Sequence, residues 1–356
     1  MMSEIPQQMT AMQLVGQGGY DKLVLRHDVA VPGPGPGEVL IEVLAAGVNN
    51  TDVNHRIAWY AQQDTLGGDS VALPSSGHLA EGTWKGGGTM HFPRIQGADV
   101  CGRIVAVGKG VETARIGERV IVDPLLRDPA GYLGADCDGG FAQYVRVPSP
   151  NAHAVRSSLS DVELASFPCS YSTAENLLTR TRVVAGETVL VTGASGGVGS
   201  AVVQLAKQRG ARVIAVTVAE KAELLSAIGA DRIHLRDVSL LEALGGNSVD
   251  VVIDLVGGVN WPQLLTVLVP GGRYGASGAI AGPIVNLDLR TFYFKDLTLC
   301  GCTSFERSVF VDLVRHIESG AIKPLVADVF PLERLADAQA AFLTKKHVGK
   351  IVLSLS

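Results

Sequence analysis

The chain has 356 residues, with 30 Lys+Arg against 35 Asp+Glu and a formal net charge of −5 with histidine neutral. That length corresponds to about two domains at ~150 residues each, and the acidic balance argues against a dedicated nucleic-acid binder, which needs a basic stripe. Hydrophobic residues make up 47% and charged residues 18%, a composition that supplies a large core and excludes global disorder.

In chain order, the opening MMSEIPQQMTAMQL has no basic flank and no apolar run of signal-peptide length. No stretch approaches the ~18 apolar residues of a membrane span. From Met12 to Val48 the pattern is short and β-like, and VLIEVLAAGV (39–48) follows the turn-rich PGPGPGE. A second β-rich block covers GADVCGRIVAVG (97–108), ERVIV (118–122) and GGFAQYVRVP (139–148). Between these blocks, residues 61–94 are rich in Gly, Ser, Thr and Pro around Trp84, which reads as a functional loop or lid, or as disorder. After about residue 158 the period changes. LSDVELASF and STAENLLTR read as helices, with Ser160 as N-cap and Glu163 three residues later. Apolar strands then alternate with amphipathic helices from ETVLVTG to DLTLCGC (296–302), the pattern of a buried parallel sheet with helices on both faces. Helices VFVDLVRHIESG and LADAQAAFLTKK and a final strand, GKIVLSLS, complete the chain. The five cysteines, Cys101, Cys137, Cys169, Cys300 and Cys302, are odd in number and scattered, so no disulfide framework is expected and the cytoplasm is the expected compartment.

The strongest local signal is TVLVTGASGGVGSAVVQLAKQRGARVIAVT (188–217). An apolar strand enters the turn Gly193-Ala194-Ser195-Gly196-Gly197-Val198-Gly199 and an amphipathic helix leaves it. Glycines let backbone approach a pyrophosphate, and the helix N-terminus offers N–H groups and a positive dipole end. The context of strand, turn, helix and strand turns a weak motif into a dinucleotide site. The following strand ends at Thr217 without the carboxylate that grips the ribose 2′-hydroxyl of NAD. Lys221 and Arg236 lie just beyond, which suits a 2′-phosphate and favours NADPH over NADH. The alternative gives the ribose to Glu220 and leaves Lys221 a solvated helix charge.

Taken together, AAGVNNTDVNHR, FPRIQGADVCGRIVAVG, GERVIV, GGFAQYV, GASGGVGSAVVQLAK and HVGKIVL resemble the medium-chain dehydrogenase/reductase superfamily over nearly the whole chain, and within it the zinc-free quinone oxidoreductase, or zeta-crystallin-like, branch. The resemblance implies an α/β protein: a GroES-like β-rich catalytic domain (1–170), a Rossmann NADP-binding domain with a doubly wound parallel sheet (171–305), and a C-terminal return completing the catalytic domain (306–356), with the active site in the cleft between the domains. It also implies that a zinc enzyme would carry a thiolate at Asn49 and an imidazole at Ala98. Only Cys169 matches a zinc-ligand position, and one ligand cannot form a site that wants three plus water. The cysteines of a structural zinc lobe are missing too, since 123–140 contains only Cys137. No metal is expected.

Without a Lewis acid, a conjugated carbonyl is the easier substrate: hydride goes to the β-carbon and charge spreads to the enolate oxygen, which hydrogen bonds can stabilise. The resemblance places Asn49, Asp52 and Tyr60 at the catalytic wall, with Tyr60 and Asn49 as donors to the substrate oxygen. Asp52 has a structural alternative as a helix cap. Thr173, with Tyr171 nearby, matches the segment beneath the nicotinamide. Gly275, Ala276 and Ser277 end a parallel strand where a cofactor is expected. Lys350 resembles the basic C-terminal contact to the 2′-phosphate, or is a strand-flanking charge. The strand at 296–303 ends the sheet, Cys300 and Cys302 sharing a face of it, and its edge invites pairing with a second copy. The expected function is an NADPH-dependent reduction of a small quinone or α,β-unsaturated carbonyl, with no nucleic-acid or membrane partner. The alternatives are an alcohol or aldehyde dehydrogenase with unusual zinc ligands, and a non-catalytic NADPH-binding protein like the lens crystallins.

Overall fold

The computed structural model describes residues 5–61 and 90–355. Of the loop or lid expected at 61–94, residues 62–89, with Trp84, lie outside the described residues. The chain forms two units: one built from residues up to Cys169 with Phe310–Ser319 and Lys323–Ser356, the other from Ser170–Val309 with Gly320–Ile322.

The first unit opens with the hairpin β1 (Gln8–Leu14) and β2 (Leu23–Ala30), followed by β3 (Glu38–Gly47) and a short helix, α1 (Asn50–Arg56). After the two-residue β4 (Arg94–Ile95) come β5 (Asp99–Val107), β6 (Arg119–Val122), the small hairpin β7 (Leu125–Arg127) and β8 (Ala130–Tyr132), β9 (Tyr144–Pro148) and β10 (Ala152–Ala154). The next helix, α2 (Asp161–Leu164), carries the expected box: Glu163 N–H donates to Ser160 Oγ while Glu163 accepts from Ser160 N–H. Strand β3 is the hub. One edge pairs with β5, and the other edge pairs with β9 over Glu38–Glu42. Its buried residues Val39, Ile41, Val43 and Ala46 join a core that includes Ile104, Val120, Phe141 and Leu353.

The second unit begins in α3 (Pro168–Arg180) and continues β11 (Thr188–Val191), α4 (Gly197–Gln208), β12 (Arg212–Thr217), α5 (Ala222–Ala227), β13 (Arg232–Leu235), α6 (Leu240–Leu244), β14 (Val249–Asp254), α7 (Trp261–Val267), β15 (Leu268–Ala276), α8 (Leu289–Phe294) and β16 (Thr298–Gly301). The strands pair in parallel in the order β13-β12-β11-β14-β15-β16, the doubly wound arrangement whose order reverses between β11 and β14. Val189–Val191, Val213–Ala215 and Val251–Ile253 are fully or almost fully buried, as continuous apolar strands under helices on both faces require. The sequence WPQLLTVLV divides at Val267, where α7 gives way to β15.

The return to the first unit carries α9 (Arg307–Glu318), β17 (Val326–Pro331), α10 (Leu335–Leu343) and β18 (Lys350–Ser354). Strand β18 takes the remaining edge of β3, antiparallel, with Val352 opposite Gly47 and Ser354 opposite Ala45. No helix among the described residues is long and apolar enough to cross a membrane.

Candidate active site

In the first unit, the register of three strands assembles a buried polar cluster. Val352 faces Gly47 on one side of β3 and Asp99 faces it on the other. Because Val48 N–H donates to Ile351 O, the next residue of β18, Lys350, arrives beside Asn49. Lys350 Nζ is 2.7 Å from Asp99 Oδ2 and donates to Asn49 Oδ1 at 2.6 Å and Val48 O at 2.9 Å. Asn49 Nδ2 donates to Asp99 Oδ2 at 2.9 Å, and Cys169 N–H donates to Asp99 Oδ1 at 2.6 Å. Gly47 makes this possible: a Cβ there would lie 2.6 Å from Asp99 Oδ2 and 2.8 Å from Ala165 O.

Asn49 is also the N-cap of α1, and Asp52, in its first turn, accepts Asn49 N–H at 2.8 Å and Gly97 N–H at 3.3 Å. Gln96 Nε2 donates to Asp52 O at 2.9 Å. Burial pushes the Asp52 carboxyl up to about 7, against the pull of those N–H groups and of Lys350. Asp52 therefore has the geometry of a helix cap, the structural alternative that its sequence offered.

Two expectations need correcting. The ammonium of Lys350 has three N–H donors, and all three are engaged inside the unit on a side chain 4% exposed; none remains for a phosphate. The Asn49 amide is committed to Asp99, with its second close acceptor, Gly47 O, at 3.5 Å, so it is held for the cluster rather than for a substrate oxygen. Tyr60 sits in a 3₁₀ turn after α1, its ring centroid 5.0 Å from His55 and 5.2 Å from Trp59. Burial raises its hydroxyl above the usual tyrosine range, opposed by hydrogen bonds with Asn54 and Thr51. Like any tyrosine below its ordinary range, Tyr60 is protonated and a donor at neutral pH.

In the second unit, β11 runs into the glycine turn. Gly193 has φ +58°, and a Cβ at Gly199 would lie 2.2 Å from Gly193 O, so both positions need glycine. Gly196 caps α4 without a side-chain acceptor, leaving the first-turn N–H groups of a twelve-residue helix oriented for an anion. Ala194 is buried, while Ser195, Gly196, Gly197 and Val198 are half-buried. Lys221 Nζ donates to Ser195 Oγ at 3.2 Å, and burial together with the neighbouring Arg236 lowers the Lys221 pKa. Arg236 N–H donates to Thr217 O at 2.9 Å. Thr217 itself is 5% exposed, and its hydroxyl has no hydrogen-bond partner among the described residues. The structure thus gathers Thr217, Lys221 and Arg236 at the tip of β12 beside the turn. Ala276 and Ser277 are half-buried at and just beyond the end of β15, and Thr173 is half-buried on α3.

The fit to a metal is poor on chemistry. Asn49 and Ala98 offer an amide and a methyl, which leaves Cys169 as one ligand where a site wants three plus water; the Cys169 sulfur accepts from Tyr132 OH at 3.1 Å, and burial beside Asp99 pushes its thiol up to about 12. Among the described residues no group of three His, Cys, Asp or Glu is placed to hold a metal. Sequence reading missed two buried carboxylates, Asp99 and Asp254. The available signal was an acid at one terminus of a mostly apolar strand, Asp99 opening β5 and Asp254 closing β14.

Residues 35–157 match the family profile of the alcohol dehydrogenase GroES-like domain and 197–319 that of the zinc-binding dehydrogenases. A solved chain from Sinorhizobium meliloti 1021, described as a candidate alcohol dehydrogenase, superposes with a TM-score of 0.90 at 48% identity, covering 99% of this chain and 98% of that one. This chain belongs to the medium-chain dehydrogenase/reductase superfamily. Its place is the quinone-oxidoreductase-like branch, with human quinone oxidoreductase 27% identical over 98% of both chains. The NADPH-dependent alkenal/one oxidoreductase of Arabidopsis thaliana is 29% identical over 99% of this chain and 81% of the relative. The superfamily makes the chain a nicotinamide-dependent oxidoreductase.

Replacing Lys350 by Met leaves Asp99 buried without its counter-charge, an arrangement that costs about 3–5 kcal/mol; the urea midpoint should fall accordingly. For Asp52, the folded pKa of about 7 lies above the ordinary 3.8, so the folded state holds the proton more tightly. The Asp52 contribution is then most favourable at low pH and is lost as pH rises through the window between those values. The melting temperature of wild type relative to Asp52→Asn should accordingly be higher at pH 5 than at pH 8.

Proposed function

We propose that this chain is an NADPH-dependent, zinc-independent reductase of quinones or α,β-unsaturated carbonyls. The observation that carries this reading is the tip of β12, where no carboxylate stands and Lys221, bonded to Ser195 in the glycine turn, lies beside Arg236. Two cations at that point suit the 2′-phosphate of NADPH, whereas the ribose diol of NADH asks for an acid. Thr217, whose buried hydroxyl has no partner among the described residues, adds a group for the same phosphate. The names of the human and Arabidopsis relatives support quinones and alkenals or alkenones as the substrate class.

NADPH, when bound, supplies the hydride for the β-carbon of the conjugated acceptor. The chain positions it: backbone of Gly193–Gly199 and the start of α4 hold the pyrophosphate, and Ala276, Ser277 and Thr173 bind toward the nicotinamide end. Tyr60, protonated at neutral pH as an ordinary tyrosine is, donates to the oxygen on which negative charge develops. The zinc-independent reading rests on the amide and methyl at Asn49 and Ala98, which leave Cys169 as one ligand where a zinc site wants three plus water. We extend the proposal to a cytoplasmic location and to a homodimer, the latter supported by the outer strand β16, three of whose four residues are exposed, including Leu299. Light scattering should read the mass of two chains.

Purified enzyme should oxidise NADPH faster than NADH against a panel of quinones and enones, with EDTA and added Zn²⁺ both without effect. Lys221→Ala removes a charge-assisted contact of about 1.5–3 kcal/mol and should raise the NADPH KM by tenfold or more with little change for NADH. Equal use of both nucleotides would overturn the cofactor assignment. Oxidation of simple alcohols that chelation abolishes would instead favour the alcohol dehydrogenase reading suggested by the Sinorhizobium chain.

A further inference from the structure

The doubly wound unit contains a carboxylate that the mechanism above leaves unused. Asp254 ends β14 and is fully buried. Among the described residues it meets hydroxyls and backbone N–H groups. Thr192 Oγ1 donates to its Oδ1 at 2.5 Å, Tyr274 OH to its Oδ2 at 2.7 Å, Val256 N–H to Oδ1 at 2.9 Å, and Gly257 N–H to both oxygens at 3.2 Å. Thr192 Oγ1 in turn accepts Leu255 N–H at 3.0 Å.

A buried carboxylate is costly unless every lone pair is served, and the neighbouring strand positions are apolar. What sets this one apart is the set of segments it joins. Thr192 immediately precedes Gly193 of the glycine turn. Asp254 immediately precedes a second glycine-bearing turn, in which Gly257 and Gly258 have φ of +63° and +77°. Tyr274 lies on β15, just before Ala276 and Ser277, and Ser277 N–H reaches Asp254 O at 3.4 Å. The second and third segments are knitted further by Ala281 N–H to Val256 O at 2.9 Å and Gly258 N–H to Gly282 O at 3.1 Å. The first and second nearly touch, since a Cβ on Gly193 would lie 3.2 Å from Val256 Cγ2. These are the turns leaving the C-terminal ends of β11, β14 and β15, spanning the point where strand order reverses and where open parallel sheets bind ligands.

We infer that Asp254 is a positioning residue for the nicotinamide cofactor: through Thr192, Tyr274 and the N–H groups of 256 and 257 it fixes the spacing of the three turns on which the nucleotide lies. The inference rests on the family's nicotinamide chemistry but not on the choice of NADPH over NADH. Its effect is therefore independent of the 2′-phosphate, unlike that of Lys221.

The test is nucleotide binding by the full-length Thr192→Val, Thr192→Ser and Tyr274→Phe proteins, each checked for a cooperative melt. Thr192→Val keeps the shape and deletes the hydroxyl. Its Kd should rise about tenfold for NADPH and NADH alike, with the carbonyl-substrate KM within twofold of wild type. Thr192→Ser, which restores the hydroxyl, should return the Kd to the wild-type value. Tyr274→Phe should raise the Kd about threefold, and it carries the test if Thr192→Val does not fold. A lowered melting temperature with unchanged Kd in the Val and Phe variants would overturn the inference, as would failure of Ser to rescue. Wild type binding neither nucleotide would instead defeat the cofactor reading itself.

Discussion

A carboxylate withdrawn from water must find all its partners within the protein, and each unit of this chain is organised around one such group. In the first it is Asp99, served by an ammonium, an amide and a backbone N–H. In the second it is Asp254, served by two hydroxyls and the N–H groups of the following turn. The difference matters. The Lys350–Asp99 pair cancels charge and ties the last strand to the start of α1, so its strength is Coulombic and geometric together. Asp254 keeps its partners neutral and therefore depends on directional hydrogen bonds, which hold position more than they hold energy.

Glycine determines where these groups can reach. Gly47 clears the space through which Asp99 passes to Asn49 and Lys350. Gly199 permits the close approach of Gly193 O at the start of α4. One small side chain in each place would displace the polar groups and with them the local chemistry. The high glycine content of the chain has specific uses at these two positions.

The second unit was the more legible in sequence. Its strands are continuous apolar runs, its helices are amphipathic, and the glycine turn sits between β11 and α4 where the motif requires it. The Ser160–Glu163 cap was equally plain because its partners are three residues apart. Lys350 and Asn49 were misread for the opposite reason. Their partners lie across strands far apart in the chain, and nothing local in HVGKIVL tells a buried ammonium from a solvated one. Only the pairing of β18 with β3, and of β3 with β5, brings Lys350 to Asp99. Asp254 was visible as an acid closing VDVVID, but its meaning required Thr192 and Tyr274 from neighbouring strands.

The long sequence gap between Asn49 and Lys350, 301 positions, has a consequence for biosynthesis. As the polypeptide emerges from the ribosome, β3 must wait with half of one edge uncovered while the entire doubly wound unit is translated, because β18 follows that unit. Vectorial synthesis lets the doubly wound unit mature first. The β-rich unit can close only when the final strand is delivered, and Asp99 meets its counter-ion at that moment.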